Sequence, residues 1–143
     1  MPSVRIFVKG QRQIGKLGFK QYQMLKLGTV GLAAVKNRVQ SGLNAQDAPA
    51  KKLSKPYAIR KTKIFKKRAI RDLTLSGQML RNLQVRTVSN NTAQARNTTR
   101  RDRQKSNRQN EIEPWLLFSR KNQAAVQRAA QLIFAETIRH LVK

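Results

Sequence analysis

The sequence predicts an α+β fold: a small antiparallel sheet packed by an N-terminal and a C-terminal helix, with long basic loops. Three observations carry that expectation. Ser3 to Lys9 (SVRIFVK) and Leu83 to Val88 alternate residue by residue, as half-buried strands do. Phe19 to Ser41 and Arg120 to Val142 bring apolar residues round at three- and four-residue steps, as helices do. The stretches between them are dense in Lys and Arg and punctuated by Pro, Gly, Asn and Ser. At 143 residues the chain suits a single domain spanning 1–143, with a basic connector at 43–71 and a basic loop at 98–110.

In the first strand Val4, Ile6 and Val8 share one face, and Gly10 ends it. Gln11 to Gly18 reads as a short approach turn, because Gly15 and Gly18 weaken a helix. In the first helix Leu25, Gly28, Leu32, Val35 and Val39 form the inward stripe; Lys26, Lys36 and Arg38 fall largely elsewhere. Gly28 and Gly31 disfavour a helix by about 1 kcal/mol each relative to Ala. Either tertiary packing offsets that, or another backbone approaches closely. Gly42 suits the stop.

Tyr57 to Arg71 (YAIRKTKIFKKRAIR) can begin a helix at Ala58, but Ile64–Phe65 interrupts any single face. The next stretch, Asp72 to Val85 (DLTLSGQMLRNLQV), runs from an apolar lead-in to a Ser76–Gly77 break. Ser76 can cap one helical turn, Gln78 to Asn82, and Gly77 can take backbone angles closed to other residues. In the following strand Leu83, Val85 and Thr87 oppose Gln84, Arg86 and Val88. Ser89 to Thr92 is a hairpin turn. Thr92 to Thr98 returns as a weakly hydrophobic strand, placed near a sheet edge. Thr99 to Asn110 has no apolar residue and is expected to be loop. In EIEPWLLFS, Pro114 forces Glu113 to be extended and Ser119 caps the last helix. That helix carries Val126, Ala130, Ile133, Thr137 and Leu141 on one stripe, widened by Phe134 and Ile138.

Charge narrows the function. The 31 Lys and Arg face 6 Asp and Glu, a net charge of +25. Such a chain repels itself unless a polyanion or acidic partner neutralises it. Nucleic acid leads the partner classes, with an acidic protein surface or anionic membrane also compatible. Two clusters carry the charge, Lys51–Arg71 and Arg96–Arg108. The candidate contacts are Lys51, Lys52, Lys61, Lys63, Lys66, Lys67, Arg68, Arg100, Arg101 and Arg103. Of the aromatics only Tyr57 and Phe65 interleave the first cluster and none enters the second, so base stacking has little to work with. Sequence-independent backbone contact, a wall facing DNA, or pairing with acidic neighbours remains.

Other classes find little. There is no cysteine, hence no disulfide framework or zinc-finger ligand set. No apolar signal region is visible, and the longest nearly uncharged run, Leu27 to Val35, is too short to span a bilayer. No cofactor or metal is expected, because neither a phosphate-cradling loop nor ligand spacing appears. Catalysis is not expected: His140 has no carboxylate cluster beside it. Glu111 and Glu113 share a face of an extended segment but lack a pocket and distinct environments.

Four segments in order resemble the tailed-phage tail-completion or head-to-tail joining proteins, the virion morphogenesis family. They are VRIFVKG, YAIRKTK, RDLTLSGQMLRNLQV and EPWLLFS followed by a helix. In that family a basic segment leads into a Leu–Thr/Ser–Gly–x–Leu/Met core, then a hairpin, then a Pro–aromatic–Leu–x–x–Ser element opening the last helix. Arg71, Leu73, Ser76, Gly77, Met79, Leu80, Pro114, Trp115 and Ser119 fit those places. The region after the hairpin is more basic than the family pattern, and Arg120–Lys121 stands where acids are frequent. The resemblance implies an α+β fold without enzymatic activity. It also implies a homo-oligomeric ring, commonly a hexamer, in the virion neck at the tail top, assembled in the host cytoplasm. Such a ring lies between connector or portal-side proteins and tail-tube or terminator proteins, surrounds the genomic DNA passage, and needs no membrane. The competing expectation is a free nucleic-acid-binding protein, ribosomal or chromatin-like. The apolar residues expected to build the subunit are Leu73, Leu75, Met79, Leu80, Trp115, Leu116 and Phe118.

Overall fold

The computed structural model describes residues 4–7, 19–73, 77–89 and 92–141, the first four and the last through their backbone. Its central element is α1 (Gln21–Gln40). The buried face of α1 is Met24, Leu27, Gly28, Gly31, Val35, Arg38 and Val39, together with Gln23. The expected stripe is therefore rotated: Leu25 is 43% exposed and Leu32 is only partly buried. Leu27 to Val35 carries no charge on any side, so polarity alone does not select a face there. Glycine does. A Cβ on Gly28 would collide with a γ-methyl of Val85 and lie 3.0 Å from the Cβ of Ala93, so α1 sits directly on the sheet at this point. The helix ends in a Schellman motif: Gly42 N–H donates to Val39 O at 2.9 Å and Leu43 N–H to Arg38 O at 3.1 Å, with Gly42 at φ 75°.

The sheet has three antiparallel strands in the order β1-β3-β2, from β1 (Val4–Phe7), β2 (Leu83–Ser89) and β3 (Thr92–Asn97). Thus β3 is central, not near an edge as expected. Its weak hydrophobicity goes with close packing at Gly28: Ala93 and Ala95 are buried, and the Cβ of Ala93 lies 3.0 Å from where a Cβ on Gly28 would stand. Ala95 pairs with Val85 on one side and Val4 on the other; Ala93 pairs with Thr87 and Ile6. The alternation expected in β2 holds, with Leu83 buried, Val85 and Thr87 half-buried, and Gln84, Arg86 and Val88 exposed. A register shift between Thr87 and Ser89 precedes the hairpin turn, whose Asn90 and Asn91 lie outside the described residues, as do Gln11 to Gly18.

Helix α5 (Arg120–Leu141) runs antiparallel to α1, since Gln23 reaches Thr137 and Arg38 reaches Asn122. Ser119 caps it as expected, its Oγ accepting from Asn122 N–H at 3.2 Å. Phe19, Met24, Leu27, Ala93 and Ile133 form one apolar cluster, and Phe134 stacks tilted on Phe19 with ring centres 4.4 Å apart. Val35, Val39, Met79, Leu80, Leu83, Ala95, Trp115 and Leu116 form the other, with Leu73 and Phe118 packed against it. Every residue expected to build the subunit is therefore placed in or against this core except Leu75, which lies outside the described residues.

Arg38 is a correction, for it is buried. Its guanidinium donates to Leu117 O at 2.7 Å, to Asn122 Oδ1 at 2.7 Å and to Trp115 O. It thereby fastens the EPWLLFS segment to α1. Burial pulls its pKa down and the charge of Asp47 opposes that; an arginine starts high enough to stay charged.

The expected basic loop at 98–110 is instead helix α4 (Arg100–Ile112). Thr99 caps it, accepting from Asp102 N–H at 3.2 Å and donating its hydroxyl to Asp102 Oδ2 at 2.7 Å. Arg, Gln and Lys are good helix formers, and neither Gly nor Pro interrupts them. The buried side is polar, Asp102 and Ser106, so no apolar periodicity announces the helix. In the connector, α2 (Lys55–Lys63) begins earlier than Ala58, with Pro56 accommodated in its first turn, where no N–H is needed.

Candidate functional site

The stretch around Gly77 positions the basic elements. Gly77 adopts φ 68°, and α3 (Gln78–Arg81) follows as the single turn expected; Ser76 and its capping lie outside the described residues. Met79 and Leu80 enter the core, and Asn97 donates to Met79 O at 2.7 Å. Asn82 at the end of α3 donates to Asp102 Oδ2 at 2.6 Å, which ties α4 to the same junction. These hydrogen bonds from Thr99 and Asn82 hold the Asp102 carboxyl below its usual pKa, against the opposing effect of burial.

On the other side of the junction, Lys61 of α2 forms a buried ion pair with Asp72 and donates to Ile70 O at 2.7 Å. Lys61 is only 2% exposed. It is structural and does not belong among the polyanion contacts, where the sequence placed it. A cation run gives no hint of which member faces inward; the pairing with Asp72 arises from the fold.

The remaining candidates divide. Lys51 is exposed but tethered, its ammonium donating to Ile112 O at 2.9 Å and its backbone N–H to Glu113 Oε2 at 3.0 Å. It so caps the carbonyl end of α4. Arg68 likewise donates to Gln40 O, the last residue of α1, at 3.0 Å. Lys52, Lys63 and Lys66 are exposed, and Lys66 holds the left-handed conformation at φ 52°. Lys67 is half-buried. On α4, Arg100 and Arg101 are exposed and Arg103 is half-buried.

The structure brings the two clusters together. Helices α2 and α4 line one groove of about 500 Å³. Tyr57 stands on the α2 side; Lys105, Arg108 and Ile112 stand on the α4 side. Ile70, Leu73 and Met79 contribute apolar surface between them, and Arg71 joins the lining. Burial raises the Tyr57 phenol above its usual pKa and Asp72 adds to it, while Arg60 and Arg71 oppose; the group is a neutral donor at physiological pH. Sequence reasoning did not single out Arg71, Lys105 or Arg108 as contacts. The signal was available for α4, where Arg101, Lys105 and Arg108 follow helical spacing.

His140 is exposed near the end of α5. Glu111 lies in the last turn of α4 rather than on an extended segment, and Glu113 follows as its C-cap. The two carboxylates therefore do not share the strand face expected of them. Among the described residues no group of three or more His, Cys, Asp or Glu is placed to hold a metal ion, and no helix is long and apolar enough to cross a membrane. No protein-family model, curated protein or solved structure matches the chain.

Proposed function

We propose that the chain is a structural protein of a tailed-phage neck: a tail-completion ring that joins the head connector to the tail and surrounds the DNA passage. One observation carries this reading. The four segments that resemble the tail-completion proteins in sequence are interlocked parts of one scaffold in space. In their described residues, VRIFVKG supplies β1, YAIRKTK falls in α2, RDLTLSGQMLRNLQV supplies α3 and the start of β2, and EPWLLFS is clasped by Arg38. The scaffold turns cations outward on α2 and α4 and has too few acids to neutralise them, with Asp72 and Asp102 already buried.

Assembly also needs apolar contact. Tyr22 and Leu25 of α1 and Leu132 and Ile138 of α5 are exposed, at 64%, 43%, 70% and 51%. Tyr22 and Ile138 flank in sequence the Gln23–Thr137 hydrogen bond, so they stand at the same end of the helix pair. Exposed apolar side chains such as Tyr22 and Ile138 at one end of a helix pair suit subunit contacts. We assign the ring no catalysis. The exposed cations would face DNA in the channel or acidic neighbouring rings, and the protein would reside at the neck without a membrane partner.

The alternative is a free nucleic-acid-binding protein, favoured by the +25 charge alone. A complementation experiment separates the two. Phage made without this chain should accumulate filled heads and finished tails that do not join, and added purified protein should join them. Normal joining without it contradicts the proposal.

A further inference from the structure

The groove between α2 and α4 combines two properties that a phosphate backbone does not use together. Its lining is cationic at Arg71, Lys105 and Arg108 and apolar at Ile70, Leu73 and Met79. Ile112 at the α4 side is 46% exposed. Phosphate contacts need cations and no apolar floor. Peptide recognition uses both: an apolar anchor seated in a pocket and charged groups that fix its orientation.

Arg71 lines the groove half-buried, its Nε donating to Lys51 O at 3.2 Å. A carboxylate beside a guanidinium or ammonium forms charge-assisted hydrogen bonds. The volume, about 500 Å³, is within the range of roughly 300–1,000 Å³ that ligand sites occupy.

We infer that this groove docks an acidic segment of a partner protein carrying an aliphatic or aromatic anchor. The anchor lies on Ile70, Leu73, Met79 and the exposed Ile112, and the segment's carboxylates meet Arg71, Lys105 and Arg108. A second copy of this chain is a poor occupant on charge grounds. It has six acids, of which Asp72 and Asp102 are buried. The inference stands on the groove and does not require that the chain form a ring.

The test uses the full-length protein and three labelled probes: a short peptide of Glu with Leu and Phe at helical spacing, polyglutamate of equal length, and short duplex DNA. Anisotropy should give the amphipathic peptide an affinity about tenfold or more above polyglutamate. Ile112→Ser should weaken the amphipathic peptide several-fold and leave polyglutamate unchanged. Lys105→Gln with Arg108→Gln should weaken both peptides. Duplex DNA should not displace the amphipathic peptide at concentrations that saturate the outer cations. Ile112 and Arg108 are exposed, and melting curves for each variant check that the fold is kept. Equal binding of the two peptides overturns the proposal, as does displacement by DNA, which would make the groove a general polyanion surface. A failure here leaves the joining of heads and tails untouched, so the two readings fail separately.

Discussion

Arg38 holds the start of α5 against α1 through carbonyl acceptors on Trp115 and Leu117 and the side chain of Asn122. A hydrogen bond from a charged donor contributes about 1.5–3 kcal/mol. Arg38→Met should therefore lower unfolding free energy in urea by about 3 kcal/mol or more, and Arg38→Lys should recover only part, because an ammonium cannot reproduce the planar fork. A loss within experimental error would mean that the EPWLLFS segment is held by Trp115 and Leu116 packing alone. Asp102 gives a pH signature. Its folded pKa is lowered, so its stabilising contribution is fully present above the unfolded value of about 3.9 and is lost as pH falls through the folded value. Asp102→Asn should lower the melting temperature at neutral pH and narrow its gap to wild type below about pH 4. A constant gap would contradict the assigned hydrogen bonds. At this scale the sequence was least informative. Arg38 and Lys61 read as outward charges because nothing local distinguishes a buried cation from an exposed one. Their acceptors, Trp115 O and Asp72, lie elsewhere in the chain.

Between elements, the contact of α1 with the sheet depends on Gly28. Alanine favours an isolated helix over glycine by about 1 kcal/mol, yet Gly28→Ala should destabilise the protein by about 1–3 kcal/mol, since its methyl meets Val85 and Ala93. Stabilisation instead would show that helix and sheet are spaced more widely. The close approach was legible as one of two alternatives from Gly28 and Gly31 in the sequence, and the strands of the hairpin, α1, α3 and α5 were legible from periodicity and punctuation. Helix α4 was not, because its buried face is Asp102 and Ser106 and its cap is a side-chain exchange with Thr99. For the same reason the second basic cluster is ordered, with Arg100 and Arg101 displayed on a helix. Replacing both by Gln should reduce the slope of log K against log salt for duplex DNA by roughly 0.9 for each phosphate no longer neutralised. An unchanged slope would assign these cations to a protein neighbour.

For the whole molecule, charge and architecture point the same way. Acids number 6 against 31 cations, so the protein cannot neutralise its own charge, and a polyanion or an acidic neighbour would relieve the self-repulsion. The α+β class was legible before the structure; the assembly of α2 and α4 around a common groove was not, since it depends on the long-range ties of Lys51 to Ile112 and Asn82 to Asp102. In the proposed neck role, a single polypeptide of this size would be one wedge of the ring. Closing a channel around DNA requires identical wedges repeated about an axis, each surface meeting a different surface of the next copy. The central claim is most directly tested by electron cryomicroscopy of phage particles carrying a small tag at one terminus of this chain. The tag is predicted at a closed ring, of the sixfold kind common to tail-completion proteins, between the head connector and the tail, with α2 and α4 turned to the channel or to the adjoining ring. Finished particles without the tag at that junction, with the protein recovered on bulk nucleic acid instead, would contradict it.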